Sequence, residues 1–160
     1  KYMDVEPEIK ELLEEMEQTK DRFLGLAEED ARVFEPLAAC YRLPSGTEEE
    51  KAYKEQVMEQ HLLAASSVPM EMMKEALRML DILEFLGKKG SRMAVSDVGA
   101  GVQFIRAALA GAVMNVYINT KSMKDRKMAE TLNKEADAIL ADGLEKADQI
   151  YETVRKGLQE

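Results

Sequence analysis

Apolar residues recur every three or four positions along most of this chain, and no stretch alternates in the manner of a half-buried strand. This spacing predicts an all-α fold, a bundle of about five long helices. Breaks are expected where turn residues cluster, at "RLPSG" (42–46), "SSVP" (66–69) and "GKKG" (87–90), and again shortly before Asp125. Thr47 and Glu50 have the spacing of a capping box and predict the start of the second helix.

The segment "SDVGAGVQFIRAALAGAVMNVYIN" (96–119) is rich in Ala and Gly and almost free of charge. Small side chains let neighbouring backbones approach closely, so we expect a buried central helix that is contacted on several sides and capped by Ser96. Asn115 and Asn119 are four residues apart and share a face of this helix. Buried amides need partners, and both a hydrogen bond between helices or subunits and a bound ligand would supply them.

One position in the first helix breaks the apolar pattern. From Phe23 the predicted inward stripe continues through Ala27, Phe34, Leu37 and Tyr41, and position 30 of that series is an aspartate. A carboxylate that faces a core is costly unless it is paired or hydrogen-bonded. Two interpretations stay open: Asp30 reaches solvent beside its acidic neighbours, or it is a buried functional acid.

Composition narrows the function. A chain of 160 residues is expected to form one domain over 1–160, and its net charge of −9 argues against a nucleic-acid partner. One cysteine excludes an internal disulfide and favours the cytoplasm, while one histidine excludes a His-based zinc site and a Ser–His triad, so no metal is expected. The apolar run 98–118 contains Gln103, Arg106 and Asn115, so we expect it to be buried in protein rather than in a membrane.

Several segments in order carry a family resemblance. "KYMDVEPE", "EEDARVFEPLAACYRLP", "TEEEKAYKEQ", "SSVPMEMM", "AVSDVGAGVQFIRAALAGAVMNVYIN" and "KSMKD" together resemble the formiminotetrahydrofolate cyclodeaminase / methenyltetrahydrofolate cyclohydrolase family. The resemblance extends over essentially the whole chain, and its most specific part is 96–125. The family's Pro-Gly-Gly-Gly-Ser loop would precede Lys1, so we expect the chain to lack its N-terminal segment.

The resemblance also implies site residues. Its catalytic aspartate falls on Asp30, the residue that the stripe analysis also singles out. The implied substrate-binding residues are Arg42, Ser96, Asp97, Asn115, Asn119 and Lys121. Ser45 stands where the family has a lysine after "RLP", which puts one anion contact in doubt.

The implied function is that of a folate one-carbon enzyme with a tetrahydrofolate derivative as substrate and no further cofactor. A formiminotetrahydrofolate cyclodeaminase is favoured, because small residues around the amides suggest a pocket closed to water. A methenyltetrahydrofolate cyclohydrolase is the alternative, and a non-catalytic helical interaction module is the second alternative. A homodimer is expected, because the long helices carry apolar residues on more than one face.

Overall fold

The computed structural model describes residues 6–160, which form four α-helices. These are α1 (Glu6–Cys40), α2 (Glu48–Lys89), α3 (Val95–Ser122) and α4 (Arg126–Gln159), with a short 3-10 turn at Arg92–Ala94 before α3. Residues 6–160 contain no β-strand, so the all-α class is confirmed. The predicted number of about five helices is wrong, because α2 continues through "SSVP" without a break.

The continuity of α2 has a local explanation. The hydroxyl groups of Ser66 and Ser67 donate to the backbone carbonyls of Leu62 and Ala64 in the preceding turn, so neither side chain draws the backbone out of the helix. Pro69 has no N–H, and its position leaves the carbonyl of Ala65 without the usual helical donor. A side chain from α3 supplies the replacement, as described below.

The helix ends agree only partly with the sequence. Thr47 and Glu50 form the predicted capping box at the start of α2. Ser96 is not a cap: α3 begins one residue earlier, after the 3-10 turn, which has Ser91 as its own cap. The backbone N–H of Met128 donates to Asp125, the N-cap of α4.

The central helix of the chain is α2, since it packs against each of the other three helices. Helices α2, α3 and α4 enclose most of the core, and α1 lies along α2. The predicted burial of the Ala/Gly-rich helix is not confirmed for a single chain, because α3 buries one side only. Its exposed small residues are Ala100, Ala107, Ala108 and Gly111.

Helix α3 together with the preceding 3-10 turn, residues Arg92–Ser122, is long and apolar enough to cross a membrane by length and composition alone. The core helix of a soluble protein passes the same test when it is mostly buried. Here only 28% of the most apolar window is buried within the chain. The fold of one chain therefore leaves much of the apolar surface of α3 exposed.

Helix α4 packs tightly against α3 at Gly143, which is buried. A Cβ atom at this position would overlap the Cδ2 atom of Leu109 and lie 3.0 Å from that of Leu77. Leu109 is fully buried and has little room to move. The absence of a side chain at position 143 thus sets the spacing between these two helices.

We expect Gly143→Ala to lower the free energy of unfolding by about 1–3 kcal/mol, because the added methyl group overpacks the core. Gly25→Ala is the matched control: it lies within α1 with open space around it, and alanine favours a helix over glycine by up to about 1 kcal/mol. Urea unfolding followed by circular dichroism measures both. Equal or higher stability of Gly143→Ala would contradict this account of the helix spacing.

Candidate functional site

Asp30 lies on the face of α1 that packs toward α2. The inward positions of this helix are Thr19, Phe23, Leu26, Asp30, Val33, Leu37 and Cys40. The predicted stripe is therefore wrong at Ala27, Phe34 and Tyr41, which are exposed, but right at Asp30, which is half-buried. Within residues 6–160 no side chain forms a hydrogen bond or ion pair with Asp30. A carboxylate in this position remains available to a ligand.

Packing contacts give the level of Asp30 along the bundle. On one side of it in α1, Leu37 packs with Leu62 and Ala65 of α2. On the other side, Phe23 packs against the cluster that contains Met70 and Met73. Asp30 is midway between them and so lies beside the middle of α2, at the level of the segment that contains Pro69.

The amide of Asn119 contacts α2 at the same level. Its Nδ2 atom donates to the backbone carbonyl oxygen of Ala65 at 2.9 Å. This is the carbonyl that Pro69 leaves without a helical donor, so the hydrogen bond between α2 and α3 replaces one inside α2. Of the two partners that the sequence left open for Asn119, the structure shows a bond between helices. Its Oδ1 atom makes no such bond within 6–160.

Asn115 is one turn before Asn119 and is exposed. No hydrogen bond involves its side chain within the described residues. The paired amides consequently differ: Asn119 fastens α3 to α2, while Asn115 presents a free donor and acceptor beside it. Asn115 has the better chemistry for recognising a polar ligand edge.

Polar contacts hold the carboxyl end of α3 in place. Thr120, which is fully buried, donates to Asn133 Oδ1 at 2.7 Å, and Arg126 donates to the carbonyl of Thr120 at 2.9 Å. The hydroxyl of Tyr117 donates to Asp137, and this hydrogen bond, with partial burial, raises the pKa of Tyr117 to about 12. The position of the amide pair is thereby fixed from the α4 side as well.

Two predicted basic residues lie at the same end of the bundle. Arg42 is exposed in the turn after α1, and Lys121 is exposed in the last turn of α3. Lys54, which the sequence analysis did not select, supports that turn by donating to the carbonyls of Tyr41 at 2.9 Å and Leu43 at 3.0 Å. The sequence indicates this role only through the position of Lys54, one turn beyond the capping box.

Ser96 and Asp97 lie at the other end of α3 and are exposed. Asp97 lines an open apolar depression of about 420 Å³ with Met16 of α1, Met79 of α2 and Phe104 of α3. A larger open depression, of about 1020 Å³, adjoins it and is lined in part by Lys88, Lys89 and Arg92. The sequence analysis did not select these basic residues, since "GKKGSR" resembles an ordinary helix end.

The predicted site residues thus fall into two groups. One group, between the middle of α2 and one end of the bundle, comprises Asp30, Arg42, Asn115, Asn119 and Lys121, and Ser96 and Asp97 lie at the other end. Asp97 and Asn119 are about 33 Å apart along α3, at a rise of about 1.5 Å per residue. One chain does not bring them together. Within residues 6–160, no group of three or more His, Cys, Asp or Glu side chains is arranged to hold a metal ion.

Comparison with known proteins identifies similar chains. A family model described as formiminotransferase-cyclodeaminase matches residues 1–138. A methenyltetrahydrofolate cyclohydrolase from Methylorubrum extorquens is 34% identical over 155 residues, which cover 97% of this chain and 74% of that protein. A formimidoyltransferase-cyclodeaminase from Gallus gallus is 30% identical over 112 residues, or 70% of this chain, but only 21% of its own length.

A solved structure shows a similar fold. The crystal structure of formiminotetrahydrofolate cyclodeaminase from Thermotoga maritima matches with a TM-score of 0.77 and 28% sequence identity. The match covers 99% of this chain and 73% of that one. Nearly the whole length of this chain therefore has a fold similar to part of a solved structure.

We expect Asn119→Ala to lower the free energy of unfolding by about 1–3 kcal/mol, because the carbonyl of Ala65 loses its donor. In a Pro69→Ala background, residue 69 regains an N–H that can donate to the carbonyl of Ala65. The loss of unfolding free energy caused by Asn119→Ala should then be smaller by about 1 kcal/mol. Asn115→Ala, on the same face, should change stability by less than about 0.5 kcal/mol. Urea unfolding of all four combinations and the control gives these values. If Asn119→Ala lowered the free energy of unfolding equally in both backgrounds, the amide of Asn119 would not be replacing the backbone bond that Pro69 removes.

Proposed function

Because the chain belongs to the formiminotransferase-cyclodeaminase family, we propose that it is a folate one-carbon enzyme that acts on the carbon between N5 and N10 of tetrahydrofolate. The observation that carries the proposal is Asp30: a half-buried carboxylate without a partner among residues 6–160, at the level of a free amide. Such a group is well placed to exchange protons with a bound nitrogen compound.

The first assignment is the cyclodeaminase reaction. N10 of formiminotetrahydrofolate attacks the carbon of the protonated formimino group on N5, which forms a tetrahedral carbon bonded to three nitrogens. The proton of N10 leaves, the amino nitrogen gains a proton, and the C–N bond to that nitrogen breaks with release of ammonia. The product is the 5,10-methenyl cation. The Thermotoga maritima structure and the Gallus gallus relative, both named for cyclodeaminase, support this assignment.

Asp30 is proposed to move the proton in this reaction. Its carboxylate accepts the proton of N10 and, as the acid, donates it to the departing nitrogen. The same negative charge stabilises the cation that remains. Asn115 is proposed to hold the donor–acceptor edge of the pterin ring, and Arg42 and Lys121 the anionic glutamate tail.

The second assignment is the cyclohydrolase reaction, in which water adds to the methenyl cation and the ring opens to 10-formyltetrahydrofolate. The Methylorubrum extorquens relative favours it, since that protein is named a cyclohydrolase and is similar over 97% of this chain. In this reaction Asp30 would take the proton from the attacking water. The two assignments differ in whether the site excludes water or positions it.

We further propose that the protein is a cytoplasmic homodimer. The large apolar side chains that remain exposed on the single chain support dimerisation, among them Phe104, Met114 and Ile118. Exposed apolar surface of this extent is typical of interaction sites.

We expect Asp30→Asn to leave folding intact and to reduce turnover by about 10²–10⁴-fold, because it keeps the shape of the side chain and removes the proton acceptor. The matched control is Glu28→Gln, which removes an exposed carboxylate from the same helix and should retain the activity of the parent. Steady-state kinetics with each folate and a circular dichroism spectrum of each variant are required. Full kcat in Asp30→Asn would show that Asp30 is structural.

The two assignments are separated by supplying the purified protein with each folate in turn. We expect ammonia release from formiminotetrahydrofolate and an absorbance change that shows a stable methenyl product. Rapid conversion of methenyltetrahydrofolate to the 10-formyl compound, without ammonia release from the formimino substrate, would assign the cyclohydrolase reaction instead. No turnover and no binding of any reduced folate would leave the non-catalytic module as the better account.

A further inference from the structure

The turn between α3 and α4, residues 123–125, is bound to α2 by one carboxylate. The backbone N–H of Lys124 donates to Glu59 Oε2 at 2.8 Å, and the N–H of Asp125 donates to Glu59 Oε1 at 3.1 Å. Each oxygen therefore accepts from one of two consecutive N–H groups. Hydrogen bonds from a backbone N–H to a carboxylate are stronger than those between neutral groups. Glu59 thus forms a bidentate link between α2 and this turn.

The carbonyl groups around the same turn are held by Arg126. Its Nη1 atom donates to the carbonyl oxygens of Thr120 at 2.9 Å and Met123 at 3.1 Å. The last carbonyls of an α-helix have no donor within the helix, so helix ends fray unless another group supplies one. Met123 is buried and packs in one cluster with Leu62 of α2. The end of α3 and the turn after it are therefore fixed by two charged side chains and one apolar side chain.

Lys121 lies in the segment that these contacts fix. It is exposed in the last turn of α3, and its side chain forms no ion pair or hydrogen bond with residues 6–160. Lys124 differs, because its Nζ atom is paired with Glu55 Oε1 at 3.3 Å. Of these two lysines, Lys121 is the one available to an anionic ligand.

We propose that Glu59 is a positioning residue for the substrate. Its carboxylate holds the α3–α4 turn on α2 and keeps the last turn of α3 ordered, so that Lys121 meets the anionic glutamate tail at a fixed place. Glu59 does not touch the substrate and acts through Lys121. This role rests on the proposed function, whereas the link between α2 and the turn does not.

The link requires two acceptor oxygens at the reach of a glutamate. Glutamine has nearly the same shape, but it has one acceptor oxygen, and its amino group would face the second backbone N–H as donor against donor. Aspartate keeps both oxygens and is shorter by one methylene group. Glu59→Gln therefore preserves the packing and leaves one N–H of the turn without its partner. This makes it the sharpest single change for a test.

Charge alone predicts the opposite effect on substrate binding. Removal of a negative charge from the neighbourhood of a basic residue strengthens the attraction of that residue for an anion. If Glu59 acted only through its charge, Glu59→Gln would bind the glutamate tail more tightly. A positioning role makes the same variant bind the tail more weakly. Glu55→Gln is the matched control, because it removes the same charge one turn earlier in α2 and contacts the turn through the side chain of Lys124.

The link is tested first, without any substrate. Amide hydrogen exchange followed by NMR should show protection of the Lys124 and Asp125 N–H groups in the parent. At least one of them should exchange about 10-fold faster in Glu59→Gln. Glu55→Gln should leave both rates within about twofold of the parent, since it removes a surface ion pair alone. Unprotected amides in the parent, or equal rates in Glu59→Gln and the parent, would show that Glu59 does not hold the turn.

The positioning role is tested by steady-state kinetics with and without the glutamate tail. The substrates are the reduced folate that the parent turns over and the corresponding pteroate, which ends before the glutamate. Glu59→Gln should raise KM for the folate about 3- to 10-fold with kcat unchanged, because it weakens a contact made equally in the ground and transition states. KM for the pteroate should not change. A variant that merely contains less folded protein would instead lower kcat for both substrates alike.

A double-mutant cycle decides whether Glu59 acts through Lys121. In a Lys121→Met background, Glu59→Gln should not raise KM for the folate further, since the residue that it positions is already absent. Multiplied effects of the two changes, or an equal or lower KM for the folate in Glu59→Gln, would overturn the positioning role. If the parent turned over no folate, the proposed function would fail together with this role, while amide exchange would still decide the link.

Discussion

The hydrogen bond from Asn119 to the carbonyl of Ala65 is the contact on which the rest of the arrangement depends. Pro69 removes one backbone bond from the middle of α2, where Ala65 and Pro69 are buried and water has little access. The amide of α3 replaces that bond, so α2 continues as one helix and its register with α3 is fixed. The levels of Asp30 and Asn115 follow from this register, because both are positioned relative to α2.

Helix α1 carries more apolar side chains than the fold of one chain buries. Leu26, Val33 and Leu37 pack inward, while Leu24, Phe34 and Tyr41 remain exposed. Burial of the first set turns Asp30 toward α2 and leaves it without a partner among residues 6–160. The proposed proton transfer uses this carboxylate, whose position on α1 follows from the burial of its apolar neighbours.

The small residues of α3 have a different role from the one that composition suggests. They do not enclose a pocket within one chain, since Ala107, Ala108 and Gly111 are exposed. A site closed to water, which the cyclodeaminase reaction requires, then depends on whatever covers this face.

The sequence by itself determined the all-α class, the capping box of Thr47 and Glu50 and the family, and it singled out Asp30 while leaving its burial open. The class and the cap depend on helical periodicity and local spacing, which a linear pattern contains, and the family depends on the ordered segments that resemble it. Tertiary structure decided the continuity of α2 through Pro69, the inward face of α1 and the exposure of α3. These three features depend on groups that another helix supplies. The backbone bond that Pro69 removes is tolerated because the amide of Asn119 replaces it. Helix α1 buries those of its apolar side chains that meet α2.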